Sequence, residues 1–268
     1  MAIIDFDKNY NDFVRHWAKK NAGRLKKDED PSVYAGEIYE EWLDTPLNEA
    51  GGLTPKQYFD RLAPREAAQM LQEYKEAETG IPFPLIDRLA ASDCLPELLP
   101  LLDSADEEVF TIAVNLLEEG GSSAHIEKMI EELLDPASGE DTRSFAAEIL
   151  ANHADEVKEK LLSRAGKSEE TDMLLADVLV YSKGDDRIYQ LLVRLFLSGL
   201  NNALYAGYLG MYEDERALPL LKERIESPDI GYVEFMELRN AIERLGGDPI
   251  EDRDFHSDPD YKIMKHIK

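Results

Sequence analysis

The stretch "LLPLLDSADEEVFTIAVNLLEEG", residues 98–120, decides the fold. It reads as a leucine-rich helix, a short acidic break and a second helix. Val109, Ile112, Ala113, Leu116 and Leu117 fall at the i, i+3, i+4, i+7 spacing that puts them on one helical face. Ser104 with Glu107 has the form of a capping box, and Gly120-Gly121 marks the stop. Similar segments follow to residue 247: "AHIEKMIEELLD", "EDTRSFAAEILANH", "DEVKEKLLSRAG", "EETDMLLADVLVYSKG", "DDRIYQLLVRLFLSG", "NNALYAGYLGMYED", "RALPLLKERIESPD" and "GYVEFMELRNAIERLGG". None shows the two-residue alternation of a half-buried strand, so the expected class is all-α.

The segments also resemble one another. The second helix of each pair carries a small residue in its apolar face, at Ala113, Ala147, Ala176, Ala206 and Ala241, with a leucine three or four positions on. A hairpin this short cannot bury its apolar face alone, whereas stacked hairpins can, and alanine lets helix axes approach closely. The expected architecture is a right-handed α-solenoid of about five hairpins.

"LPELLPLLDSADEEVFTIAVNLLEEG" (95–120), "DTRSFAAEILANH" (141–153) and "ALPLLKERIESPDIGYVEFMELRNAIERLGG" (217–247) resemble HEAT repeats, in the short variety also found in phycobiliprotein lyases. The arginine usual in the second helix is present as Arg143 but replaced by Phe110 in the first clear repeat. Counting "PREAAQMLQEYKEAETG" and "PFPLIDRLAAS" as a degenerate hairpin, the resemblance covers residues 64–247 and implies a fold far more than a function.

Residues 1–63 differ in kind. Trp17, Tyr34, Tyr39, Trp42, Tyr58 and Phe59 make them aromatic, and Thr54, Pro55 and Gln57 form an N-cap, a first-position proline and a capping box. The pattern "WLDTP…GGLTP…YF" resembles a segment preceding HEAT repeats in bacterial proteins of unknown role. It is expected to form a helical cap over the first repeat. Residues 248–268 read as an acidic C-terminal tail along the last hairpin.

Charge restricts the partners. The 268 residues include 30 Lys/Arg against 56 Asp/Glu, a net of −26, which repels phosphate backbones and anionic lipid. Nucleic acid and membrane are therefore disfavoured as partners. "MAIIDFDKNY" has acids where a signal peptide has a basic flank. The long uncharged run Leu195 to Tyr212 contains Ser198, Asn201, Asn202 and three glycines, and reads as two helices and a turn. The expected location is cytoplasmic, in keeping with a single cysteine, Cys94.

No chemistry-bearing motif emerges. No two histidines stand at helical zinc-site spacing, and "DRDFHSDPD" lacks the mid-loop glycine and terminal glutamate of an EF-hand. There is no nucleophile elbow, phosphate-cradling loop or dinucleotide fingerprint. No catalytic residue, metal or cofactor is expected.

Two surfaces remain as candidates. Tyr205, Tyr208 and Tyr212, with Met211, lie at i, i+3, i+7 on one second helix and could form a protein-docking patch. Arg15, Lys19, Lys20, Arg24, Lys26 and Lys27 make a basic segment free of acids, suited to an anion or acidic partner, while residues 103–172 hold 19 acids against 6 bases. The sequence favours a non-catalytic scaffold binding an unidentified protein along a concave face. The alternatives are a chromophore- or small-ligand-handling protein of the lyase type and a nucleic-acid-binding helical-repeat protein. Oligomeric state is not legible.

Overall fold

The computed structural model describes residues 3–24 and 31–266, and every regular element among them is helical. The chain divides into two compact units, Met1–His125 and Ile126–Lys268. This division falls inside the expected run of repeats, not at 63/64.

The first unit contains α1 (Phe6–Lys20), α2 (Ala35–Leu43), α3 (Pro55–Asp60), α4 (Pro64–Glu76), α5 (Phe83–Leu89), α6 (Leu95–Leu98) and α7 (Glu107–Glu119). Its centre is aromatic. The fully buried Phe6 ring lies 4.8 Å from Phe59, 5.3 Å from Tyr58 and 6.3 Å from Trp42. Three of the large rings have their polar edges satisfied: Trp42 Nε1 donates to Asn9 at 2.9 Å, Trp17 Nε1 to Glu41 at 2.9 Å, and the Tyr74 hydroxyl to the Ile4 carbonyl at 2.8 Å. The Tyr74 bond fastens the N-terminal residues to α4. Thr54 and Gln57 form the expected capping box, with Pro55 in the first turn of α3.

The opening stretch departs from its reading in two details. Its first helix is one α-turn running into a 3-10 turn, Leu99–Asp103. Pro100 has no N–H to bond the carbonyl four residues back, so the α-ladder ends. The cap of α7 is Asp106, whose Oδ1 accepts from the N–H groups of Glu108 and Val109 at 3.1 and 3.0 Å, while Ser104 Oγ accepts from Asp106 N. A carboxylate at this position also meets the positive end of the helix dipole, which a serine hydroxyl cannot match.

The second unit contains α8 (Ile126–Leu134), α9 (Glu140–Asn152), α10 (Ala154–Leu162), α11 (Glu169–Leu179), α12 (Asp186–Ser198), α13 (Asn202–Tyr212), α14 (Leu218–Ile225), α15 (Tyr232–Arg244) and α16 (Pro259–His266). Consecutive helices pair as α8/α9, α10/α11, α12/α13 and α14/α15, and α9 packs on α11 as α13 packs on α15. All five alanines of the series are buried. The uncharged run is indeed two helices and a turn: Gly199 takes a left-handed φ of +76° that costs other residues, and Asn201 caps α13. No helix among the described residues is long and apolar enough to cross a membrane.

Helix α13 packs closely on α15. A Cβ on Gly210 would stand 2.8 Å from the Cα of Ala241, so only glycine fits there. Residues 248–266 close the end of this unit. Phe255 is buried 5.0 Å from Phe235, Arg253 donates to the carbonyls of Ile225 and Ser227 at the end of α14, and Asp258 Oδ2 accepts from Tyr232 N at the start of α15.

Candidate docking face on helices 11, 13 and 15

Helix α13 sets the four residues of the expected patch in different environments. Tyr205 is 0% and Tyr212 2% exposed, so both belong to the core. The Tyr212 hydroxyl accepts from Asp185 N and donates to Asp185 O, each at 2.7 Å, tying the end of α13 to the start of α12. These two rings are corrected from docking residues to structural ones: the i, i+3, i+7 spacing puts them on one side of α13 with Tyr208, and the neighbouring helices bury the outer two. Tyr208 and Met211 keep partial exposure.

Tyr208 bridges to α11. Its hydroxyl donates to Asp177 Oδ1 at 2.6 Å. Burial raises the Asp177 carboxyl above its ordinary value, and the Tyr208 bond pulls it partly back. The same burial, then the Asp177 bond, pushes the Tyr208 phenol far up. A carboxyl raised in the folded state contributes stability that is fully present below its unfolded value, near 3.8, and is lost as pH rises through the folded value. Asp177→Asn, which still accepts from Tyr208, is therefore expected to melt higher than the parent at pH 7, with the gap shrinking towards pH 4. Parallel thermal melts test this, and a gap independent of pH would refute it.

Beside Tyr208, a groove of about 520 Å³ runs between α13 and α15. Its floor is Gly207, Gly210 and Ala241, and its walls include Met211, Glu237 and Asn240. A Cβ on Gly207 would stand 3.3 Å from Glu237 Oε2, so that carboxylate lies against α13. Glu237 is half-buried and has no hydrogen bond or ion pair among the described residues. Arg244 is the one cation lining the groove; the Glu213 carboxyl is lowered chiefly by its bond to Lys183, with a smaller pull from Arg244.

Three cations of this unit link one first helix to the next. Lys160 of α10 pairs with Glu127 of α8. Arg187 of α12 reaches Glu159 of α10 at 2.6 Å, and Arg216, before α14, reaches Asp186 of α12 at 2.7 Å. Arg187 also holds its own N-cap, Asp185, whose carboxyl it lowers to about 2. Arg216 likewise holds its N-cap, Asp214, and lowers that carboxyl. This chain of pairs was missed in the sequence, though "DDR" at 185–187 and "DER" at 214–216 signal it.

The basic segment is partly spent within the first unit. Arg15 pairs with Asp12 at 3.1 Å. Arg24 grips Glu37 with two bonds, at 2.7 and 3.0 Å, and lies over the Trp17 and Tyr34 rings. Lys19 and Lys20 are exposed in the last turn of α1, and Lys26 and Lys27 lie outside the described residues. That unit also has a cleft of about 570 Å³ lined by Ile3, Leu53, Arg61, Leu62 and Met70.

The acids of the tail have separate duties. Asp252 pairs with Arg239, Asp254 accepts from His256, and Asp258 caps α15 and α16. Cys94 is fully buried beside Arg88, and burial raises its thiol, which opposes thiolate chemistry.

No family model matches the chain, and no curated protein or solved structure is significantly similar to it.

Proposed function

We propose that the chain is a non-catalytic scaffold, a HEAT-like α-solenoid that binds another protein across the face of α11, α13 and α15. The observation that carries this reading is a recurring offset of about one hairpin between touching residues. Arg187 reaches back 28 residues to Glu159, Arg216 back 30 to Asp186, and Tyr208 back 31 to Asp177. Gly210 meets Ala241 on the same pattern. Such an offset is what stacked hairpins of similar length produce. The face itself supports binding, because Tyr208, Met211 and two glycines offer rigid aromatic and adaptable apolar surface beside an open groove. The cleft of the first unit, apolar at Ile3, Leu53, Leu62 and Met70 with Arg61, Glu66 and Glu73 at its wall, supports a small-ligand-handling protein as a second reading.

Met211→Arg tests the scaffold. The half-exposed side chain can reach solvent, so the fold should persist while the groove is filled. With full-length protein immobilised in a native-host extract, the parent should retain a defined set of proteins that the variant loses, with unchanged circular dichroism melts. Equal retention by both would overturn the reading.

A further inference from the structure

We draw no further inference here: the strongest candidate, the cleft of about 570 Å³ in the first unit, sets one base, Arg61, and two acids, Glu66 and Glu73, around its apolar side chains, and nothing in the structure shows what fills it.

Discussion

Replacing Ala206 by glutamate is expected to abolish the cooperative melt of the second unit or lower its midpoint by at least about 10 °C. Ala206 is 0% exposed on α13, which is flanked by α12 and α15. A glutamate there has no path to water. Its carboxylate is either buried without a partner or forces the helices apart, at a cost of several kcal/mol, comparable to a large part of the ~5–15 kcal/mol that holds a domain together. Ala147→Glu should cost less, because Ala147 is 9% exposed and a longer side chain can carry its charge outward. Circular dichroism melts of the two variants beside the parent test both statements. An Ala206→Glu midpoint within two degrees of the parent would show that α13 does not pack as described.

The second large effect is expected at Gly210. Alanine there sets a Cβ 2.8 Å from the Cα of Ala241 and 2.9 Å from its Cβ, neither of which is the end of a flexible side chain. The helices must separate, and overpacking of this kind costs about 1–3 kcal/mol. Removing glycine from a helix interior returns up to about 1 kcal/mol, so Gly210→Ala should be a net loss. Gly210→Val, with two further methyl groups at the same contact, should lose about 3 kcal/mol or more. Urea unfolding midpoints should fall in the order parent, alanine, valine. A rise on Gly210→Ala would mean that helix propensity governs the site and that the close approach does not hold. Gly207→Ala is the internal comparison, since its nearest neighbour is the mobile tip of Glu237.

Helical class was legible because it rests on local rules. The Thr54 capping box, the turn inside the uncharged run 195–212 and the alanine at each second helix all depend on neighbours in sequence, and the structure has them where they were read. The cap of α7 went to Asp106 over Ser104 because two acceptors two residues apart competed, and dipole and geometry chose between them. What did not follow was the direction in which a face points. Tyr205, Tyr208 and Tyr212 share a side of α13 by spacing alone, yet burial separates them, because inward and outward are decided by which helices lie alongside. The candidate face was similarly hidden. Asp177 and Glu237 are two acids among 56, and nothing in the neighbouring sequence sets them apart.

The ion pairs that link the first helices have a direction. Going along the chain, α8 offers an acid that α10 meets with Lys160, α10 offers Glu159 to Arg187, and α12 offers Asp186 to Arg216. Each hairpin therefore behaves as a connector with a socket on one side and a plug on the other. The joints, being exposed, contribute little holding energy individually, and because each sets a base against an acid they mark the register of neighbouring helices, not their order.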